Sequence, residues 1–136
     1  MKKKLSLFLT VLMLISVMAF TSCDSNGKYK SSYNAVGCVH SNLPKSSSLK
    51  FSSFSGVIPF ELKVKEGTGK LTYSGELGKG SATVYYDADG TKKELFSVDA
   101  GGSQKGEITD LKEGTVYVIV ETNEKCSNGK FEFKIK

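Results

Sequence analysis

No arginine occurs in this sequence, histidine occurs once and proline twice. Arginine is the side chain that forks onto phosphates and guanine edges. Its absence, with lysines scattered rather than clustered, argues against a nucleic-acid partner. The single histidine, His40, supplies one metal ligand at best where zinc wants three or four. No Gly-x-Ser-x-Gly elbow is present, and His40 lies in a linker-like stretch, so a serine-hydrolase triad has no base. The acidic residues fall mainly on strand exteriors and turns, where they solubilise rather than form a glycosidase pair. The glycines sit at turns, not in a phosphate-cradling loop. No catalytic residue, metal ligand or cofactor is assigned, and the chain is not expected to be an enzyme.

What the sequence has begins at its start. MKKK precedes an apolar run over residues 5–20. Basic residues and then a short apolar run are the first two regions of an export signal. The run is shorter than the roughly 20 residues a membrane-spanning helix needs. Residues 1–22 are therefore read as a signal peptide. Lys2, Lys3 and Lys4 leave with it, which lowers the formal net charge from +5 to about +2. The 136 residues allow one domain at most.

The signal ends in Phe20-Thr21-Ser22-Cys23. Small residues immediately before a cysteine, closing an apolar run, resemble a bacterial lipoprotein signal. That resemblance implies that Cys23 is lipidated and becomes the first residue of the mature chain. Two or more acyl chains give stable anchoring, where a single chain is marginal. The expected location is outside the cytoplasm, lipid-anchored at the cell membrane or outer membrane. Residues 23–47 are polar at first, with Gly, Ser and Asn, and read as a flexible tether.

From residue 48 onward the hydrophobic period is two. In FELKVK, Phe60, Leu62 and Val64 share a face opposite Glu61, Lys63 and Lys65. In GKFEFKIK, Phe131, Phe133 and Ile135 alternate with lysines and Glu132. Such alternation predicts half-buried strands. About eight are expected, near 48–54, 57–66, 69–77, 80–87, 92–98, 103–109, 115–122 and 129–136. EGTG, LGKG, DADG, DAGG, LKEG and CSNG read as the turns between them. The fold class is all-β, an antiparallel β-sandwich over 48–136, with jelly-roll topology as one form of it.

DLKEGTVYVIVET followed by NGKFEFKIK resembles the last two strands of bacterial pre-peptidase C-terminal domains. It is also similar to the ends of small bacterial surface lipoproteins. The likeness spans residues 50–136 and implies a sandwich in an envelope setting. It implies no catalytic residue.

Asp87-x-Asp89-Gly90 resembles part of a calcium loop, but an EF-hand alignment puts Tyr85 and Phe96 at ligand positions. A hairpin turn is the better reading. Cys38 and Cys126 form an even pair in an exported chain, and a disulfide between them is expected. It would staple the N-terminal segment across the sandwich and contribute about 4 kcal/mol. Tyr85 and Tyr117 lie opposite their strands' apolar sets and form a candidate ligand platform. The expected function is a lipid-anchored, non-catalytic module that binds an envelope protein or assembles with one. A carbohydrate-binding module is the alternative, and a small enzyme or inhibitor a lesser one.

Overall fold

Alternating side chains leave each strand one apolar face to hide, and two sheets facing each other hide both at once. The computed structural model describes residues 28–136, so the signal and Cys23 lie outside the described residues. Seven strands follow: β1 (Ser32–Val36), β2 (Val39–Asn42), β3 (Ser46–Lys79), β4 (Ala82–Asp87), β5 (Lys93–Val98), β6 (Ser103–Thr122) and β7 (Cys126–Ile135). Every pairing is antiparallel, and the described residues include no helix.

β3 runs for 34 residues and β6 for 20, far beyond the usual strand. Their register explains the length. Residues 46–54 of β3 pair with β7, residues 57–64 pair with 114–121 of β6, and residues 71–79 return to the other edge of β7. Residues 71–76 also pair with 103–108 of β6. Both long strands therefore run through one sheet, bend, and continue in the other. The bend carries register shifts between Val64 and Thr68 and between Gly69 and Leu71. Gly67 has φ 69° there, and Asp110 and Gly114 across from it have φ 59° and 140°. Bulges bend strands and sharpen their twist. EGTG and LKEG, expected as separate hairpin turns, are instead paired with each other as this corner. Positive φ serves a bulge as readily as a turn.

Sheet one is ordered β1/β2, 46–54, β7, 71–79, 103–108. Sheet two is ordered 57–64, 114–121, β4, β5. Early and late stretches alternate in each, which is jelly-roll topology. Aromatic rings tie the sheets together across the gap. Phe60 meets Phe133 at 6.2 Å, Phe96 meets Phe131 at 6.3 Å, and Tyr73 stacks on Phe96 at 5.0 Å. Such pairs contribute about 0.5–1.5 kcal/mol each beyond the area they bury. Gly75 makes room for this: a Cβ there would lie 2.7 Å from Phe131 and 2.8 Å from Phe96.

The expected tether is corrected over residues 32–42. β1 and β2 pair with β3 in one continuous register, from Ser32 opposite Val57 to Asn42 opposite Ser47. They form a single edge strand broken at Gly37 and Cys38, and the domain begins before residue 48. The pattern hid it because apolar residues point both ways. Ala35 and Cys38 pack on the core while Val36 and Val39 are 66% and 70% exposed. Asn42 ties this edge down by accepting hydrogen bonds from Ser47 Oγ and the Glu61 amide.

The expected Cys38–Cys126 disulfide is also corrected, since both thiols are free. The two cysteines flank the same stretch of β3 on opposite sides, which separates them by about two strand spacings, ~10 Å. Cα atoms more than about 7 Å apart cannot be bridged without moving the backbone. Cys126, expected in a turn, opens β7 and is fully buried. Its thiol donates toward the carbonyls of Ser81 (3.3 Å) and Glu124 (3.4 Å).

Candidate functional site

The two tyrosines singled out by alternation do come together. Tyr85 on β4 is opposite Ile119, and Tyr117 on β6 is opposite Asp87 and Glu61. Residues opposite one another share a face, so Tyr85 and Tyr117 are diagonal neighbours on the outer face of sheet two. Both are half-buried. Lys92 Nζ sits 4.4 Å from the centre of the Tyr85 ring and also pairs with Glu121. Ile119, between the tyrosines, is buried. Half-buried rings, one of them covered by an ammonium group, leave little flat aromatic surface for a ligand.

The DADG stretch is the β4–β5 hairpin turn. Asp87 Oδ1 accepts from the Gly90 amide at 2.7 Å, Asp89 Oδ1 accepts from the Thr91 amide at 3.1 Å, and Gly90 has φ 97°. These carboxylates are engaged with their own turn, an Asx-type arrangement. His40 lies on the edge strand, 3.5 Å from Tyr33 Oη and edge-on to Phe60. Among the described residues no group of three or more His, Cys, Asp or Glu is placed to hold a metal ion. Burial raises the pKa of Cys38. Burial and then the nearby Glu124 charge raise that of Cys126, against a smaller lowering from its bond to Ser81. Neither thiol is an activated nucleophile.

The outer face of sheet one is different. Its register sets side chains in rows that cross the strands. One row is Lys50, Lys130, Glu76 and Ser103; the next is Ser48, Glu132, Ser74 and Lys105. A third holds Lys134, Thr72 and Glu107. Thr72, Ser74 and Glu132 are half-buried while Lys50, Lys105, Lys130 and Lys134 are exposed. Short residues therefore form a floor and lysines the walls. Three depressions of about 460, 510 and 540 Å³ lie along this face. The first two share Ser74, Lys105 and Glu132, and the first and third share Glu76 and Lys130. They join into one open groove that crosses sheet one from the edge strand, at Gly37 and Val39, to β6.

Alternation missed this groove because its residues look like any solvated exterior. The available signal was Thr72 and Ser74 in KLTYSGE, short polar side chains in mid-strand where long charged ones are usual on an exposed face.

No family model matches this chain, and no curated protein matches it. Among solved structures, the fold is similar to TmCBM61 in complex with beta-1,4-galactotriose, with 19% identity, a TM-score of 0.47, and coverage of 66% of this chain and 70% of that one. It is similar to a mutant of CBM29-2, a family 29 carbohydrate-binding module, complexed with mannohexaose, with 10% identity, TM-score 0.37, and coverage of 78% and 89%. A CBM4 structure gives 9% identity, TM-score 0.38, and coverage of 75% and 80%. Each is a distant likeness and assigns this chain no ligand.

Proposed function

We propose that this protein is a non-catalytic carbohydrate-binding module of the cell envelope. The observation that carries the reading is the groove across sheet one. A polysaccharide is extended and offers hydroxyl groups, each both donor and acceptor, along its whole length. The groove is open at the surface, crosses several strands, and alternates lysine donors with glutamate acceptors over a floor of Thr72 and Ser74 hydroxyls. Four paired strands alone span about 14 Å, three strand spacings. That favours a chain of sugars over a single one. An anchor on Cys23 would hold the module on the outer side of the membrane, and the lipoprotein-like signal supports it.

The test is binding of the purified full chain to a panel of immobilised polysaccharides. Retention on at least one, lost in Ser74→Arg, is expected, because an arginine would fill the groove floor. Retention on none would contradict the reading. For the anchor, Cys23→Ala should move the protein out of the membrane fraction; unchanged partition would contradict it.

One observation favours the protein-docking reading instead. Val36, Val39 and Leu43 are 66%, 70% and 57% exposed along an edge strand that carries no lysine or carboxylate between residues 31 and 43. Such an edge is a template for a further strand. Cross-linking of the full chain in intact cells would show a partner adduct through this edge, and Val39→Lys should remove it.

A further inference from the structure

The groove carries a charge pattern that a neutral sugar chain does not require. Lys50 and Lys130 stand directly opposite each other on neighbouring antiparallel strands. Like charges in that register destabilise a sheet. Lys130 approaches Glu132 at 3.8 Å, whereas Lys50, Lys105 and Lys134 form no ion pair with any described residue. All four lysines are exposed on the one face where the depressions lie. The outer face of sheet two has the opposite balance. Glu61, Asp87, Glu94 and Glu121 outnumber Lys63, Lys65 and Lys92 there. The groove lining holds Lys50, Lys105, Lys130, Lys134 and Lys136 against Glu76, Glu107 and Glu132, so an excess of positive charge lies on one side of a domain whose overall charge is small.

We infer that the groove takes an anionic polysaccharide, one with carboxylate or phosphate groups along its chain; this rests on the carbohydrate-binding reading. The Lys50–Lys130 pair receives one anionic group; Lys105, two strands beyond Lys130 and one row over, and Lys134, two rows over on β7, stand ready for others. Lysine ammonium groups are compact point charges with freely rotating donors, suited to an anion whose orientation varies along a flexible polymer. Glu76 and Glu132 keep the intervening positions for sugar hydroxyls. An anion between Lys50 and Lys130 also relieves their mutual repulsion, so ligand binding and sheet stability act in the same direction.

The experiment compares the full chain on polygalacturonate, a phosphorylated mannan and a neutral galactan by affinity electrophoresis. One or both acidic polymers should bind, and comparing the two identifies carboxylate or phosphate as the anion. Binding to the acidic polymer should fall about tenfold between 50 and 300 mM salt, as screening shortens the reach of exposed charges. Lys50→Gln and Lys130→Gln should each weaken it while leaving the melting temperature equal or higher. Lys63→Gln, the same change of charge on the other sheet, should leave binding unchanged. If the galactan binds as tightly as the acidic polymers and the lysine variants match the parent, the inference is overturned and the carbohydrate reading stands. If no polymer binds, both fall.

Discussion

The two outer faces of the sandwich are built from the same kind of strand and end up chemically opposed. On sheet two the outward positions include Tyr85, Tyr117 and Ile119, which are half-buried or buried, beside exposed charges such as Lys63 and Glu94. On sheet one they carry lysines, glutamates and short hydroxyl residues around an open groove. An aromatic residue on a strand exterior marks a binding face only if it stays uncovered. Here Lys92 over the Tyr85 ring and the buried Ile119 show that face already satisfied by its own chain. The other face has the open groove, and Lys50, Lys105 and Lys134 on it form no ion pair with a described residue.

The sharpest break would come from the core that both faces share. Phe133 is fully buried against Phe60, and Phe133→Ala should destabilise by about 3–5 kcal/mol in chemical denaturation. A loss near that of an exterior residue would mean that β7 presents its other side. Next, Gly75→Ala should cost about 1–3 kcal/mol, because the added Cβ meets Phe131 and Phe96 from opposite sheets. A neutral result would mean that the rings do not interlock there. Smaller again, Tyr85→Ala removes the Lys92 contact on sheet two and should cost about 0.5–1 kcal/mol for that contact, plus some packing. It should leave polysaccharide retention unchanged, and a loss of retention would move the ligand to the other face. Lys134→Ala, one residue beyond Phe133 but facing the groove, should stay within about 0.5 kcal/mol.

The mildest effect is one of pH. The Cys126 thiol titrates above its ordinary value of 9.0 in the fold, mainly through burial. Below 9.0 the thiol is protonated in both folded and unfolded chains, and stability is not altered. As pH rises past 9.0 the unfolded chain releases its proton first, so stability falls until the folded thiol ionises too. Denaturation curves from pH 8 to 11 should therefore fall more steeply for the parent than for Cys126→Ala. Equal slopes would mean that the thiol is not shielded.

Much of the fold was legible because burial has period two. The faces of FELKVK and GKFEFKIK are those the alternation gives, and Phe60, Leu62, Phe131 and Phe133 are all in the core. Corners were not legible. EGTG and LKEG look like turns, and only their pairing across the bend makes them a bulge shared by two long strands. The edge strand was missed since residues 32–42 bury Cys38 and Ala35 in part while exposing Val36 and Val39, which breaks the alternation. The cysteine pair failed for a related reason: sequence counts thiols but not the strand that lies between them. Beyond the short hydroxyl residues Thr72 and Ser74, the groove was not legible because it is a property of three β3 and β6 stretches and β7 laid side by side. Ser74, Lys105 and Glu132 meet only through that register.

The central claim is that sheet one, not sheet two, is the binding face. Titration of the ¹⁵N-labelled protein with an oligosaccharide cut from whichever polysaccharide retains it would test this most directly. Amide shifts should concentrate at residues 72–76, 103–107 and 130–134. Shifts concentrated at residues 83–87 and 115–121, with the groove unmoved, would contradict it.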